Sequence, residues 1–203
     1  MPYEFIYDIP DGGKFRGPLE QFQCAHTNPI SNIRCKRKGY LGYDRCWQHM
    51  RSDFHVRIKK STIPGAGKGL FADCPDAEGG VCFPAGKGNN NVGQRIVYYD
   101  GERIDKKTLE DRYGEGTAPY AIQVNKDLFE DAALRRTVGS FANAPLKGVK
   151  PNAKLYSYNS KAALGSIRKI KDGEEIFADY GREYLFDSSY TANKYSPPKN
   201  LNK

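Results

Sequence analysis

From Phe54 onward, the chain consists of short apolar runs separated by turns rich in glycine, proline and asparagine. Runs of this length between such turns are typical of β-strands. One short helix is predicted from Asp105 to Tyr113, because Asp105 can cap its first turn and Gly114 can end it. The predicted strands are Val56 to Ile58, Ile96 to Tyr99, Tyr120 to Val124, Leu155 to Tyr158 and Glu175 to Tyr180. The pattern predicts a mainly β, mixed α/β domain, interrupted by a long irregular insertion from Cys74 to Gln94.

Residues 1–52 are rich in turn formers and lack a long periodic apolar pattern, so they need support other than a hydrophobic core of their own. Cys24, Cys35, Cys46 and His49 offer that support, with the spacing C-x10-C-x10-C-x2-H. Three thiolates and one imidazole satisfy tetrahedral zinc, and a two-residue gap lets Cys46 and His49 bind one ion. The spacing predicts a closed structural zinc site, whose metal supplies folding free energy to this segment.

Two alternatives to this zinc site stay open. The cysteines can be separate buried residues that behave as small hydrophobes, and His26 is a rival fourth ligand. The odd count of five cysteines favours metal binding in a reducing, intracellular compartment over a disulfide framework. Cys74 and Cys82 have no histidine near them in the insertion, so we interpret them as ordinary thiols.

The net charge of +8 is unevenly distributed along the chain. Ala132 to Lys171 contains nine basic residues and no acidic one, whereas Asp100 to Asp131 contains nine acidic residues and five basic ones. This basic stretch either forms a solvated face or contacts nucleic acid or another polyanion. The first residues lack a basic segment followed by an apolar one, and no run approaches about 20 apolar residues, so we expect neither secretion nor a membrane span.

Four segments carry the candidate chemistry. In chain order they are Ile63-Pro64-Gly65-Ala66-Gly67-Lys68-Gly69-Leu70-Phe71-Ala72, Val97-Tyr98-Tyr99-Asp100-Gly101-Glu102-Arg103-Ile104, Phe141-Ala142-Asn143-Ala144-Pro145 with Pro151-Asn152-Ala153, and Ile170-Lys171-Asp172-Gly173-Glu174-Glu175-Ile176-Phe177-Ala178-Asp179-Tyr180-Gly181. The glycine-rich segment lacks the spacing of a P-loop, which disfavours phosphate binding.

Together, these segments resemble the SET-domain family of protein-lysine methyltransferases, from Val56 to Phe186. The last segment is the most specific, because the family's I-x-x-G-E-E-(apolar)-x-x-D-Y-G strand delivers the catalytic tyrosine, here Tyr180. The resemblance implies S-adenosylmethionine as cofactor and a SET-type fold of small curved sheets with a knot-like C-terminal crossing. Tyr99 would act beside Tyr180 in catalysis by lining the lysine channel. The cofactor-binding positions that the resemblance implies are Ala66, Gly67, Lys68, Gly69, Asn143, Ala144 and Tyr180.

The sequence departs from the family pattern at several positions. Ser140 stands where the family has arginine, Ala144 stands where it has histidine, and Leu146 to Lys150 form an insertion. The family's C-terminal zinc motif is absent, because no cysteine follows Cys82. Four aromatic residues could close the lysine channel instead, namely Tyr184, Phe186, Tyr190 and Tyr195.

The sequence therefore predicts a zinc-binding module at residues 1–52, a SET methyltransferase domain at 53–187 and a C-terminal tail at 188–203. We expect methyl transfer from S-adenosylmethionine to a protein lysine in the nucleus, with a histone as the leading substrate. The acidic stretch would attract a basic histone tail, and the basic stretch would face nucleosomal DNA. One alternative is a non-histone substrate. Another is a non-catalytic module that binds chromatin or nucleic acid on a degenerate SET scaffold, which Ser140 and Ala144 would favour.

Overall fold

The computed structural model describes residues 3–10, 12–86, 92–114, 118–146 and 148–180. Within these ranges the fold is mainly β, as predicted, with short strands in several small sheets and two short helices. The strands are β1 (Tyr3–Asp8), β2 (Lys14–Leu19), β3 (Gln21–Gln23), β4 (Lys38–Leu41), β5 (Val56–Lys60), β6 (Lys68–Ala72), β7 (Val81–Phe83), β8 (Arg95–Tyr98), β9 (Glu102–Asp105), β10 (Ala121–Asn125), β11 (Leu128–Asp131), β12 (Ala153–Tyr158), β13 (Lys161–Ser166), β14 (Ile170–Lys171) and β15 (Ala178–Asp179). The helices are α1 (Trp47–Phe54) and α2 (Lys106–Tyr113). Neither helix is long and apolar enough to cross a membrane, and the described residues contain no other such helix.

Helix α2 forms where the sequence predicts it. Asp105 caps its first turn by accepting a hydrogen bond from the Thr108 N–H at 2.8 Å. Gly114 ends the helix with a φ of 66°, a left-handed value that glycine adopts without steric strain. The capping residue and the final glycine therefore fix both ends of an eight-residue helix.

The first hairpin packs on α2, and Leu41 of β4 joins the same apolar cluster. Strands β1 and β2 pair antiparallel, and β1 buries Phe5 and Tyr7. Tyr7 meets Tyr113, the last residue of α2, edge to face with ring centroids 5.2 Å apart. The hairpin therefore gains its apolar contacts from the larger domain, which agrees with the prediction that residues 1–52 lack a sufficient core of their own.

The main core lies where α1 and the sheets β5-β6 and β15-β12-β13-β8 meet. Met50 of α1, Leu70 of β6 and Leu164 of β13 are each fully buried there. His55 adopts a left-handed conformation directly after α1, so the chain turns at once into β5. Helix α1 therefore joins the segment that contains Cys24, Cys35 and Cys46 to the core through Met50.

The last described segment, residues 175–180, runs between β6 and β12. Ile176 donates its N–H to the Leu70 carbonyl at 2.7 Å, and β15 pairs parallel with β12. The side chain of Asn152, which is fully buried, donates to the Glu175 carbonyl at 2.8 Å and accepts from the Phe177 N–H at 2.7 Å. We call residues 175–180 the crossing segment. Of the predicted strand Glu175 to Tyr180, only Ala178–Asp179 is strand, because the preceding backbone bonds to β6 and to the Asn152 side chain instead.

The insertion after Cys74 is more ordered than the sequence predicts. Strand β7 lies within it and pairs with β14. Cys74 and Cys82 form a disulfide, so the interpretation of these two residues as ordinary thiols was wrong. The sequence did not reveal this bond; two local turns, in which the Ala77 N–H donates to the Cys74 carbonyl and the Gly80 N–H to the Ala77 carbonyl, lie between the two cysteines.

Candidate functional site

The four predicted zinc ligands lie together, and we call them the cysteine cluster: Cys24, Cys35, Cys46 and His49. Their ligand atoms all lie within 4.8 Å of one another. Nδ1 of His49 is 3.3 Å from Sγ of Cys24 and 3.3 Å from Sγ of Cys46. Three sulfur atoms and one nitrogen atom around one point are the donor set of structural zinc. The cysteine cluster could therefore hold a zinc ion.

Local hydrogen bonding brings these ligands together from three parts of the module. Cys24 directly follows β3, and the Cys35 N–H donates to the His26 carbonyl at 2.8 Å, which folds the intervening loop back. Cys46 is the N-cap of α1, and His49 lies on the first turn of that helix. The cluster consequently ties a strand end, a loop and a helix start to one point.

The surroundings of the cluster shift the pKa values of Cys24 and Cys35 in opposite directions and favour the neutral form of His49. Burial raises the pKa of the Cys24 thiol. The pKa of Cys35 is lowered instead, because the Arg37 N–H donates to the Cys35 sulfur. Burial is also the main factor that lowers the pKa of His49. A neutral imidazole is the form that binds a metal, and a cation offsets the desolvation of buried thiolates.

His26 supports the cluster without belonging to it. Its ring stacks on that of His49, with centroids 3.7 Å apart and planes 9° apart. Its Nδ1 lies 3.0 Å from a carboxylate oxygen of Asp53. The geometry therefore selects His49 over His26 as the fourth ligand.

A second group of residues gathers around the glycine turn, residues 65–69, which leads into β6. Gly67 has a φ of 70°, and no atom lies within 4 Å of the position that a Cβ would occupy. The Gly67 carbonyl accepts the Ser61 N–H at 2.9 Å, which closes the turn. Its backbone conformation favours glycine, and the space beside Gly67 is open to a ligand.

Glu175 fixes the glycine turn to the crossing segment. This carboxylate is 6% exposed and accepts the Ser61 hydroxyl at 2.6 Å and the Thr62 N–H at 2.7 Å. The Thr62 hydroxyl donates to it as well. A side chain at Gly69 would collide with the carboxylate, so the close approach requires glycine at that position.

Asn143 and Tyr180 lie beside the same turn. The Asn143 amide donates to the Lys68 carbonyl at 3.0 Å, and its nitrogen lies 3.3 Å from a Glu175 oxygen. The Tyr180 hydroxyl donates to the carbonyl of Ala142, the neighbour of Asn143, at 2.5 Å. We call residues 65–69, Asn143, Glu175 and Tyr180 the cradle. The structure thus brings together the glycine turn, Asn143 and Tyr180, which lie far apart in the sequence.

Tyr99 lies in a neighbouring apolar cluster. It is buried, and its hydroxyl donates to the Tyr120 carbonyl at 2.9 Å. Its ring would lie 3.3 Å from a Cβ placed on Gly139, within the 3-10 turn Val138–Phe141 that leads to Ala142. Tyr99 and Tyr180 therefore contact this turn and the residue that follows it, respectively.

Ser140 and Ala144, the two departures from the family pattern, have simple local environments. The Ser140 hydroxyl donates to the Thr137 carbonyl at 2.7 Å, so it completes the 3-10 turn. Ala144 is half-buried directly after Asn143. Neither side chain can replace the cationic or aromatic group of the usual residue. The predicted channel residues Tyr184, Phe186, Tyr190 and Tyr195 lie outside the described residues.

Part of the acidic stretch lies inside the protein, not on its surface. Asp131 is 1% exposed and accepts from Arg112 at 2.8 Å and from the Tyr113 hydroxyl at 2.9 Å. Glu130 is 2% exposed and accepts the Ala162 N–H at 3.0 Å. Burial raises the pKa of Glu130, and burial together with Asp131 raises that of Tyr113. These two carboxylates stabilise the sheet and α2, so they cannot attract a substrate.

Sequence reasoning assigned no role to Glu175, Ser61, Thr62 or Asn152. Glu175 had a signal, since it is the second glutamate of the motif that ends in Tyr180 and Gly181, and Asn152 follows a proline in the segment that contains Asn143. The only sequence signal for Ser61 and Thr62 was their position ahead of the glycine turn.

Comparisons with known proteins add to this geometry. No protein-family model matches the chain. The chain is similar to the variant-silencing SET domain-containing protein of Plasmodium falciparum (isolate 3D7), with 26% identity over 187 residues, which are 85% of this chain and 7% of that protein. This chain thus spans a small fraction of the relative's length. A solved structure, the Chaetomium thermophilum polycomb repressive complex 2, matches with a TM-score of 0.46 and 22% identity over 64% of this chain and 15% of that one. Similarity to a SET domain-containing protein agrees with the family that the sequence motifs indicate.

Proposed function

We propose that this chain is a SET-type protein-lysine methyltransferase that uses S-adenosylmethionine. The observation that carries the proposal is the cradle, in which Glu175 and Asn143 hold the glycine turn beside Tyr180. The similarity to a SET domain-containing protein over 85% of the chain supports it.

The residues of the cradle suit this cofactor. The open space at Gly67 leaves the turn at Ala66, Gly67 and Lys68 accessible to the methionine end, whereas Gly69 is buried in β6 against Glu175. Asn143 and the backbone of Ala144 would hold the remainder. When bound, the cofactor supplies a methyl group activated by an adjacent sulfonium charge. Because the Asn143 amide nitrogen already bonds to the Lys68 carbonyl, Asn143 also fixes the turn that the methionine end would contact.

Tyr180 is the residue proposed to orient the substrate amine. The hydrogen bond from its hydroxyl to the Ala142 carbonyl fixes the position of the phenol oxygen, from which Tyr180 would orient the substrate amine. In-line methyl transfer needs a neutral, aligned amine in a site that excludes water. A free lysine has a pKa of about 10.4, which desolvation lowers towards the neutral, nucleophilic form. Tyr99, whose hydroxyl is fixed to the Tyr120 carbonyl, would form a wall of the channel.

Zinc in the cysteine cluster would be structural. All four donors come from the protein, so a bound ion would have no open position for a substrate. The ion would fix the start of α1, which carries Met50 into the core beside β5 and β6. In this proposal, residues 1–52 form the zinc module that supports the domain at 53–187.

The proposed substrate is a basic, lysine-containing protein segment, and a histone is the leading one by family resemblance. Exposed acidic residues such as Asp100 and Glu102 would attract the segment, while the basic stretch would contact nucleosomal DNA. A nuclear location follows from this substrate.

The experiment measures methyl transfer from labelled S-adenosylmethionine to core histones and nucleosomes by mass spectrometry. Tyr180→Phe is the test variant, and Tyr158→Phe is the matched control, because Tyr158 is 52% exposed and lies outside the cradle. We expect transfer by the wild type and the control and its loss in Tyr180→Phe.

Thermal unfolding with and without S-adenosylmethionine separates the alternatives, since a ligand that binds only the folded state raises its melting temperature. Cofactor stabilisation without histone methylation would redirect the search to non-histone proteins. Absence of both would refute the enzyme and favour the chromatin- or nucleic-acid-binding module.

A further inference from the structure

The disulfide between Cys74 and Cys82 joins the segment that follows β6 to β7. Cys74 comes two residues after β6, and Cys82 is the central residue of β7. Their Cα atoms are 5.6 Å apart, within the range that a disulfide spans without backbone distortion. The bond therefore closes a loop of the chain from the end of β6 to β7.

This loop holds the turn at Asp172 from two sides. The Cys74 N–H donates to the Asp172 carboxylate at 2.7 Å, and the Asp172 N–H donates to the Gly80 carbonyl at 2.9 Å. Strand β14, which ends directly before Asp172, pairs with β7. The disulfide thus connects the two contacts that position the turn.

The turn passes this restraint to the cradle within three residues. Gly173 donates its N–H to the Ala72 carbonyl at 3.0 Å, and Ala72 donates its own to the Glu174 carbonyl at 2.9 Å. The next residue is Glu175, whose carboxylate holds Ser61 and Thr62 ahead of the glycine turn. A change in the order of residues 172–174 would reach the carboxylate that fixes the cradle.

The same chain contains cysteines that need the opposite redox state. Cys24, Cys35 and Cys46 are free and arranged to bind a metal as thiolates. Conditions that preserve these thiols also expose the disulfide to thiol exchange. Cys82 is half-buried and Cys74 is 8% exposed, so an incoming thiolate reaches the Cys82 sulfur first.

We propose that Cys74 and Cys82 form a reversible redox site that controls how firmly the crossing segment is anchored. In reduction, two glutathione-type thiols supply two electrons and two protons. The protein S–S bond breaks, Cys74 and Cys82 become thiols, and the two small thiols leave joined as a disulfide. Strands β7 and β14 span only three and two residues, so the reduced loop loses much of what restrains the turn. The consequence for the cofactor rests on the proposed function.

Hydrogen exchange measured by mass spectrometry tests the proposal on the full chain with zinc present. The chain is equilibrated in oxidised or in reduced glutathione, and exchange of the Asp172, Gly173, Glu174 and Ile176 amides is followed. A crosslink that closes so short a loop stabilises the closed form by a factor on the order of ten or more, so reduction should speed this exchange about tenfold. Amides of β1 and β2 serve as the internal control.

The double variant Cys74→Ser, Cys82→Ser should exchange like the reduced wild type in both buffers. Equal exchange of the wild type in both buffers, or a disulfide that glutathione cannot reduce in the folded protein, would overturn the proposal. So would an additional zinc ion in the reduced wild type that the double variant lacks, because Cys74, Cys82 and Asp172 would then be a metal site.

Cofactor binding is measured separately in both redox states. Weaker binding of S-adenosylmethionine after reduction extends the redox control to the cradle. If the cofactor binds neither form while exchange still responds to glutathione, the proposed function fails and the redox site stands.

Discussion

The cysteine cluster and the cradle are both built from residues that are distant in sequence, but different interactions hold them together. The cluster has a set of metal ligands at its centre, whereas the cradle and the crossing segment are held by a buried carboxylate, Glu175, and a buried amide, Asn152. Glu175 is 6% exposed and Asn152 is fully buried, and both bond to protein atoms. If the cysteine cluster binds zinc as proposed, the first region depends on an ion from solution, whereas the second depends on the match of donors and acceptors within the chain.

Metal removal should have the largest effect on the stability of the protein. Structural zinc sites in small domains contribute apparent binding free energies of about 10–16 kcal/mol, so loss of one ligand should destabilise residues 21–54 severely. We expect Cys46→Ser to lose zinc and to lower the melting temperature strongly, as a chelator does for the wild type. Elemental analysis and thermal unfolding measure both effects.

His26→Ala is the matched control for this variant, because His26 stacks on His49 without being a ligand. It should keep its zinc and most of its stability. If Cys46→Ser unfolds like the wild type and chelator changes neither protein, the cysteines are only buried apolar residues.

Asn152→Ala tests the second region at its most buried point. The substitution leaves the Glu175 carbonyl and the Phe177 N–H without the amide that each contacts. Unsatisfied buried groups cost about 1–3 kcal/mol each, so the loss of two partners should lower the free energy of unfolding by about 2–6 kcal/mol. Urea unfolding measures this loss.

The control is Asn125→Ala, since Asn125 is exposed and accepts one hydrogen bond in a turn, from Asp127. Its expected loss is about 1 kcal/mol or less. Equal losses for the two variants would show that burial of the amide adds nothing to the hold on the crossing segment.

Glu175→Gln should be milder for stability but specific for the cradle. Both carboxylate oxygens accept hydrogen bonds from donors at Ser61 and Thr62, so the NH2 of glutamine must face a donor in either orientation. We expect a loss of about 1–3 kcal/mol in the free energy of unfolding. Weaker binding of S-adenosylmethionine should accompany it, and calorimetry measures that binding.

Glu174→Gln is the neighbouring control, because the Glu174 side chain is 37% exposed and its ion pair with Arg168 is long, at 3.9 Å. It should leave cofactor binding unchanged. Wild-type cofactor affinity in Glu175→Gln would show that the Glu175 carboxylate is not needed to shape the cofactor site.

The sequence predicts these two regions to different extents, for a physical reason. The sequence predicts the four residues of the cysteine cluster as candidates, because metal ligands must be particular residue types at compatible spacing, but it leaves His26 open as a rival that only the geometry sets aside. In the cradle, Tyr180 and the glycine turn were visible through their motifs. Ser61 and Thr62 were not, since a polar residue that satisfies a buried partner has no distinctive pattern. The Cys74–Cys82 bond was also missed, because the turns between the two cysteines have no pattern that distinguishes them from an irregular loop.

The smallest expected effect is the pH dependence of stability that comes from Glu130. Burial raises the pKa of Glu130 above its ordinary value. Its folded pKa thus exceeds its unfolded pKa, so its contribution to stability is fully present below the unfolded value and is lost as the pH rises through the folded one. Glu130→Gln removes this titration and keeps an acceptor for the Ala162 N–H. The wild type should therefore lose stability relative to the variant as the pH rises from about 4.5, the ordinary pKa region of glutamate, to neutrality. The free energy of unfolding of the variant minus that of the wild type increases over this range. Paired urea titrations across this range measure the difference. A constant difference would mean that Glu130 titrates alike in the folded and unfolded chain, and its burial would then carry no electrostatic penalty.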